Sequence, residues 1–208
     1  MVTIIDYEAG NLASVARALV KIGQQVEITG NPENIVRSQR IVFPGVGAAG
    51  SAMASLKKSG MDAAIVEAVR AGIPTLGICL GTQVIMDRSS ENDAQCLGII
   101  KGRVLPFPGS MTGDDGARLK IPHMGWNRIS ILKSHPVFSG IEEDDQFYFV
   151  HSYYPEPDDS SSVIAVTEHG ISFASVIGDN NLVATQFHPE KSGRAGLRIL
   201  ENFCRWTV

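Results

Sequence analysis

Cys79 lies between two glycines in the segment GICLG at residues 77–81, directly after an apolar run. The pattern G-x-C-x-G is typical of a nucleophile elbow, in which a strand turns sharply into a helix and exposes the nucleophile. The free N–H groups at the start of that helix lower a thiol pKa and stabilise an oxyanion. The segment therefore predicts a nucleophilic thiol, with a small core cysteine as the alternative.

His188 and Glu190 are the best candidates for a base and its orienting carboxylate. They stand two residues apart in QFHPEKSG at 186–193, so both side chains can project to the same side of an extended segment. A carboxylate in that position holds an imidazole in the tautomer that general-base catalysis requires. By itself, H-P-E is more often a surface turn. His-x-Glu also begins the zinc deaminase signature, but the required P-C-x-x-C is missing from the sequence. We predict neither a metal nor a cofactor.

The composition limits the other function classes. The 208 residues carry a formal net charge of −4, with a pI near 5.7, which disfavours binding to nucleic acid. No apolar stretch reaches the length of a membrane span, and the N-terminus lacks a signal-peptide pattern. Three widely spaced cysteines predict no disulfide framework. We therefore expect a cytoplasmic protein that contacts no membrane.

The elements that must position these residues fall into two halves. In the first, apolar strands at 2–7, 25–29, 40–45 and 73–78 alternate with helical patterns. The second contains strand and turn patterns and then a helix at 192–206 with Ser192 as N-cap. Its strands are predicted at 97–107, 127–132, 146–154, 162–170, 172–178 and 182–189, with hairpin turns at Gly170 and 178–181. We predict one α/β domain over 1–208, with a mostly parallel central sheet flanked by helices and an antiparallel second half. Residues 106–122 are predicted to form a mobile loop.

Three segments, in this order, resemble the class I (triad) glutamine amidotransferases: PGVG at 44–47, GICLGTQ at 77–83 and QFHPEKSG at 186–193. Three more narrow the resemblance to the glutaminase subunits of imidazole glycerol phosphate synthase, an enzyme of histidine biosynthesis. These are DYEAGNLASVARAL at 6–19, PHMGWN at 122–127 and FYFVHSYY at 147–154. The resemblance spans nearly the whole chain and implies a flavodoxin-like fold.

The resemblance implies a role for each matching residue. Cys79 would be the nucleophile, His188 the general base and acid, and Glu190 its orienter. Backbone N–H groups would form the oxyanion hole, and a further group would bind glutamine. The oxyanion-hole residues are Leu80 with Val46 or Gly47, and the glutamine-binding residues are Gln83, Glu91, His151, Ser152 and Tyr153.

The resemblance also implies a partner. Ammonia released from glutamine would pass to a (β/α)8-barrel cyclase subunit in a heterodimer, which makes imidazole glycerol phosphate and aminoimidazole carboxamide ribonucleotide. Asn11, Trp126 and Tyr148 are the candidate interface residues, and for the two aromatic side chains ordinary core packing is the alternative.

The chain departs from the family pattern at two places. Thr82 stands where methionine is common, and Glu8-Ala9 replace a turn richer in glycine and serine. Two other functions remain open: a cysteine peptidase or amidase acting alone, and a binding protein with a vestigial triad. Gln83 and Glu91 favour glutamine over a peptide, and the intact triad disfavours the binding protein.

Overall fold

The computed structural model of the chain describes residues 1–8, 10–113, 116 and 118–208. Within these residues the strands are β1 (Val2–Ile5), β2 (Val26–Thr29), β3 (Ile41–Gly45), β4 (Thr75–Cys79), β5 (Arg88–Ser89), β6 (Ala94–Gln95), β7 (Gly102–Pro106), β8 (His123–Arg128), β9 (Ser130–Ile131), β10 (Gln146–His151), β11 (Tyr153–Pro157), β12 (Val163–Glu168), β13 (Ser172–Asp179) and β14 (Leu182–Thr185). The α-helices are α1 (Leu12–Lys21), α2 (Pro32–Val36), α3 (Ala49–Ser59), α4 (Met61–Arg70), α5 (Leu80–Val84) and α6 (Gly193–Arg205).

The central sheet has the strand order β2-β1-β3-β4-β14-β13-β12-β9. From β2 to β14 every neighbouring pair is parallel, and from β14 to β9 every pair is antiparallel. The prediction of a mostly parallel sheet with an antiparallel second half is therefore confirmed. The order β2-β1-β3-β4 is that of flavodoxin-like folds, and β14 takes the next position although it comes last in the chain.

The pairing of β4 with β14 positions the chemistry. Ile78 is the register partner of Thr185, so the two parallel strands end at the same edge of the sheet. Cys79 follows Ile78 directly, and His188 follows Thr185 by three residues. Carboxyl ends of parallel strands form the usual binding crevice of open α/β sheets.

Apolar residues on the strands alternate between two cores, one on each face of the sheet. Val2, Ile4 and Val42 pack on one side with residues of α1 and α6, such as Leu19 and Phe203. A second cluster on the other side joins Ile5, Ile41 and Phe43 to residues of α3 and α4, such as Leu56 and Ile65. Phe43 and Phe203 are fully buried, and burial of such a side chain contributes about 1.5–3 kcal/mol.

Some element predictions were wrong. Helices α2 and α3 were not predicted. The sequence of α3 (AGSAMASLKKS) contains Gly and Ser, and this helix packs through small residues such as Ala49 and Ala52. The predicted strand over 2–7 ends at Ile5. The helix expected after the elbow is short and ends at Val84. Residues 97–100 form no strand, because their backbone N–H groups donate to carbonyls of 84–86.

In the second half, residues 127–132 divide between β8 and β9, which belong to different sheets. The predicted hairpins at Gly170 and 178–181 are confirmed by antiparallel pairing of β12, β13 and β14. In the predicted mobile loop, β7 extends to Pro106, and Thr112 and Arg118 form an isolated antiparallel bridge. That prediction also covers Asp114, Asp115 and Ala117, which, like Ala9, lie outside the described residues.

Candidate active site

Cys79 ends β4 in a strained conformation, with φ 55° and ψ −105°. A non-glycine residue in such a region costs of order 1–3 kcal/mol and persists only where the surroundings enforce it. A Cβ on Gly81 would collide with the carbonyl oxygen of Phe43, and one on Gly77 would lie 2.8 Å from Cβ of Ala184. Both glycines are therefore required by close packing around the turn.

Thr82 fastens this elbow to the neighbouring strand. Its hydroxyl donates to the carbonyl oxygen of Thr185 on β14 at 2.6 Å, and the side chain is fully buried. The departure from methionine thus places a satisfied hydroxyl behind the elbow. It adds a link between the strand that carries Cys79 and the strand that leads to His188.

His188 and Glu190 form a buried pair. Nδ1 of His188 lies 2.8 Å from Oε1 of Glu190, and the two side chains are 1% and 0% exposed. Because a carboxylate can only accept, Nδ1 donates, and neutral His188 carries its lone pair on Nε2. Among the described residues Nε2 has no hydrogen-bond partner, and His188 lines the cavity beside Cys79. An imidazole in this state can accept a proton from a thiol.

The charge around His188 favours its protonated form. Burial alone lowers the pKa of the imidazole, but its interactions with Cys79 and Glu190 outweigh burial and raise the pKa to about 9. An imidazolium beside a thiolate is the form of the pair that is ready to attack a carbonyl carbon. The site can therefore support nucleophilic catalysis with proton transfer.

A cavity of about 420 Å³ opens next to these residues, a size typical of small-molecule sites. It brings together most of the site residues predicted from the sequence. Its lining consists of Val46, Gly47, Cys79, Leu80, Gln83, Glu91, Pro122, Val150, His151, Ser152, Tyr153 and His188. Glu190 lies behind His188, outside the lining.

The candidate oxyanion-hole residues lie on two sides of Cys79. Leu80 is the first residue of α5, and the first N–H groups of a helix have no partner within it. Val46 and Gly47 follow the end of β3, and Gly47 has φ +100°, which side-chain-bearing residues rarely adopt. Both segments therefore bring main chain to the cavity beside the thiol.

The candidate glutamine-binding side chains are also tied to the fold. Oε2 of Glu91 accepts from the backbone N–H of Ala49, 2.8 Å away, at the start of α3. Gln83 is buried, and its Nε2 donates to the carbonyl oxygen of Tyr153 at 3.0 Å and to Oε1 of Gln186 at 3.1 Å. Gln83 thus uses both amide hydrogens inside the protein, which leaves Oε1 to accept from a ligand.

The three candidate interface residues lie outside the cavity lining. Trp126 on β8 is 54% exposed, and its cross-strand neighbour on β10 is Tyr148, with ring centroids 6.0 Å apart. Asn11 has a position that its predicted role did not suggest. Its Nδ2 donates to Oε1 of Glu190 at 2.5 Å, the same oxygen that His188 contacts.

Ser192 is the N-cap residue of α6, as predicted, but its hydroxyl makes no capping hydrogen bond. Instead the hydroxyl donates to the carbonyl oxygen of His188 at 2.6 Å and accepts from the backbone N–H of Tyr148 at 3.0 Å. Ser192 therefore fastens the His188 turn to β10.

Sequence reasoning assigned no role to Gln186 or His123. Gln186 is fully buried, and its Nε2 lies 3.8 Å from Sγ of Cys79. The sequence does contain a signal for Gln186: it is a polar residue at the end of an apolar strand, directly before Phe187-His188. His123 lies in PHMGWN, which was linked only to the partner face, and its ring hydrogen-bonds to His151. Within the described part of the chain, no cluster of side chains has the composition of a metal site.

The sequence is similar to one protein family over nearly its whole length. The family described as glutamine amidotransferase class-I matches residues 3–206. Imidazole glycerol phosphate synthase subunit HisH from Nitratidesulfovibrio vulgaris strain DP4 is 49% identical over 206 residues, which cover 99% of this chain and 96% of that protein. The protein of the same name from Dehalococcoides mccartyi strain 195 is 46% identical over 209 residues, covering 100% and 98% of the two chains.

Solved structures of lower identity share the fold. The structure of PurLQS from Thermotoga maritima has a TM-score of 0.75 at 15% identity and covers 98% of this chain and 97% of that one. The glutaminase domain of CTPS from Trypanosoma brucei has a TM-score of 0.64 at 13% identity, with 100% and 94% covered. The chain belongs to the class-I glutamine amidotransferases and, within them, to the family of imidazole glycerol phosphate synthase subunit HisH.

Proposed function

We propose that this chain is the glutaminase subunit of an imidazole glycerol phosphate synthase in histidine biosynthesis. The observation that carries the proposal is the meeting of Cys79 and His188 in one cavity, with Glu190 buried behind the imidazole. The full-length similarity to HisH subunits supports glutamine as the substrate. A peptidase acting alone is disfavoured, because Gln83 and Glu91 line the cavity where an amino acid would bind.

In the proposed reaction the Cys79 thiolate attacks the side-chain carbonyl carbon of glutamine, and the carbonyl π electrons move to oxygen. Backbone N–H groups of Leu80 and of Val46 or Gly47 stabilise that oxyanion. The His188 imidazolium donates a proton to the amide nitrogen, the C–N bond breaks, and ammonia leaves a glutamyl thioester on Cys79. Water, deprotonated by the same imidazole, then attacks the thioester carbon, so glutamate leaves and the thiolate is restored.

We assign the other end of glutamine to Glu91, Gln83 and residues 151–153. Glu91 supplies a negative charge for the α-ammonium group, and Oε1 of Gln83 supplies an acceptor. The backbone around His151, Ser152 and Tyr153 lies against the α-carboxylate. These contacts are made equally in the ground state and the transition state, so they serve substrate binding more than rate.

The proposed partner is a (β/α)8-barrel cyclase subunit that receives the ammonia in a heterodimer. The names of the relatives describe subunits of a synthase, and this chain has a surface suited to one. Met124 and Trp126, 61% and 54% exposed, lie on the outer face of β8, and Tyr148 lies beside them on β10. Large exposed apolar side chains grouped in this way are typical of protein interfaces. Asn11, the third candidate, donates to Glu190.

We further propose that residues 1–208 act as one glutaminase domain in the cytoplasm. One sheet contains both β1 and β14, so the two ends of the described chain share a core. Cys79, Cys96 and Cys204 are free thiols, which suits a reducing compartment. Within the described residues, no helix has the length and apolar character needed to span a membrane.

The direct test measures two activities of the complex with its cyclase subunit: synthesis from glutamine and synthesis from added ammonium salt. Cys79→Ala should abolish the first and leave the second, because only the nucleophile is removed. His188→Asn should act in the same way. Cys96→Ala, which changes a buried thiol outside the cavity lining, is the control and should keep both activities. Peptide cleavage without glutamine turnover, or loss of both activities in Cys79→Ala, would contradict the proposal.

A further inference from the structure

We propose that His123 is a positioning residue for the glutaminase reaction: it fixes the backbone carbonyl of Tyr153 and, through that carbonyl, Gln83 at the edge of the cavity. The proposal rests on the proposed function for its kinetic consequence. Its structural part depends only on hydrogen-bond directions, which can be measured whether or not the chain hydrolyses glutamine.

The series of hydrogen bonds begins at Asn127, the fifth residue of β8. Its Oδ1 accepts from the backbone N–H of Arg128 at 2.8 Å, and its Nδ2 donates to the carbonyl oxygen of Glu168 at 2.9 Å. These partners determine which end of the amide is nitrogen. The same Nδ2 lies 3.2 Å from Nε2 of His123, so it donates to a ring nitrogen that carries no proton.

The series of hydrogen bonds continues through two histidine rings. Nδ1 of His151 lies 2.8 Å from the carbonyl oxygen of Tyr153, which can only accept, so that nitrogen carries the proton. Nε2 of a neutral His151 must then accept, and it lies 3.0 Å from Nδ1 of His123. Every donor and acceptor is matched only if both rings are neutral and protonated on Nδ1.

The surroundings favour neutral rings. The pKa of His123 is lowered to about 3, mainly by burial and also by repulsion from His151 and His169. The pKa of His151 is lowered to about 4, mainly by burial; the hydrogen bond to Tyr153 opposes this shift, and repulsion from His169 and His188 adds to it. His123 stacks between Phe149 and His169, with ring-centroid distances of 4.7 and 4.1 Å. The ring is therefore held in one orientation.

The carbonyl of Tyr153 links this series of hydrogen bonds to the residues that line the cavity. It accepts from His151 and also from Nε2 of Gln83 at 3.0 Å, so both lone pairs are occupied. Gln83 also donates to Gln186, whose Nε2 lies 3.8 Å from Sγ of Cys79. Loss of the His123 donor would leave Nε2 of His151 unpaired in a buried site and free the ring to turn. Tyr153 and Gln83 would then lose their fixed position.

The test uses three variants. His123→Phe removes the donor but keeps an aromatic ring in the stack. His123→Asn returns an N–H near the position of Nδ1 and serves as the conservative rescue. His169→Phe is the matched control. His169 stacks on His123, but its ring hydrogen-bonds to the carbonyl oxygen of Lys120 at 3.2 Å and takes no part in the hydrogen bonds that run from Asn127 to Tyr153.

In the complex with the cyclase subunit, we expect His123→Phe to raise KM for glutamine roughly tenfold, because an unpaired Nε2 on buried His151 no longer holds Tyr153 and Gln83 in place. We expect kcat to fall less, and activity with ammonium salt to remain. His123→Asn should recover most of the KM, and His169→Phe should leave it unchanged. An unchanged KM in His123→Phe, or an equal rise in His169→Phe, would overturn the proposal.

NMR of the full chain supplies a readout that does not need activity, and its wild-type part does not depend on a variant folding. In the wild type, the ring nitrogens of His123 and His151 should show 15N shifts of a protonated Nδ1 and an unprotonated Nε2. The side-chain amide signals of Gln83 should move in His123→Phe and stay in place in His169→Phe. A proton on Nε2 of either ring would contradict the hydrogen-bond directions from Asn127 to Tyr153 and overturn the proposal. An inactive wild-type complex with the expected shifts would contradict only the proposed function.

Discussion

The amide nitrogen of Asn11 donates to the same carboxylate oxygen of Glu190 that Nδ1 of His188 contacts, at 2.5 and 2.8 Å. Asn11 also has φ +77°, a conformation that asparagine adopts more readily than most residues. An interface candidate is therefore hydrogen-bonded to the carboxylate that pairs with the His188 imidazole.

This relationship predicts that Asn11 affects turnover as well as association. Asn11→Gly, which keeps the backbone conformation, should lower kcat roughly tenfold in the saturated complex, because Glu190 loses a charge-assisted hydrogen bond. Asn11→Asp should cost more, since a second carboxylate would face Glu190 in a buried site. Steady-state kinetics and partner titration separate the two roles. Weaker association with an unchanged kcat would mean that Asn11 serves only the interface.

Glu91 is expected to bind the α-ammonium group of glutamine. Glu91→Gln keeps an oxygen that can accept from Ala49 N–H but removes the negative charge, so KM for glutamine should rise roughly 10- to 100-fold with a smaller change in kcat. The control is Glu67→Gln, an exposed position on α4. If KM is the same in both variants, Glu91 does not contact the substrate.

The His188–Glu190 pair predicts a pH dependence of stability. The folded-state pKa of His188, about 9, exceeds the unfolded value of 6.5. Its contribution to the free energy of unfolding is therefore complete below pH 6.5 and is lost as pH rises through 9. Glu190→Gln removes the carboxylate that helps to raise this pKa. The difference in unfolding free energy between wild type and variant, measured with urea, should therefore shrink over this range by up to roughly 3 kcal/mol. A difference that grows with pH would contradict the pairing.

Gly47 is predicted to set the oxyanion hole through its backbone. A Cβ would meet nothing within 4 Å at Gly47 or at Gly72, and their φ values are +100° and +82°. Alanine at either position should destabilise the fold by about 1–2 kcal/mol. Only Gly47→Ala should also lower kcat, by about 10² to 10³, the effect of losing one oxyanion donor. Equal kcat values in the two variants would remove Gly47 from the hole.

The same loop predicts that the free chain is a slow glutaminase. Val46 lies between Gly45 and Gly47, so its peptide groups can take two orientations. We expect the cyclase subunit with its nucleotide substrate to favour the orientation that aims an N–H at the oxyanion, a shift that requires different contacts with the two states. Glutamate release should then rise mostly through kcat. Equal rates for the free chain and the ligand-bound complex would show that the hole is preformed.

The sequence alone was sufficient for the fold class and the elbow, because both depend on local rules. Buried parallel strands appear as continuous apolar runs, as at 40–45 and 73–78, and a sharp strand-to-helix turn requires small residues on both sides of Cys79. Helix α3 was missed because Ala, Gly and Ser give little periodic signal, and only packing against the sheet stabilises such a helix.

Tertiary structure decided which distant residues meet. His188 reaches Cys79 because β14 pairs with β4, a contact across more than half of the chain that no local pattern contains. The contacts of Asn11, Ser192, His123 and Gln186 likewise depend on hydrogen bonds between elements. Residue type shows that a side chain can donate or accept, but the partner is chosen by the distance and direction that the fold imposes.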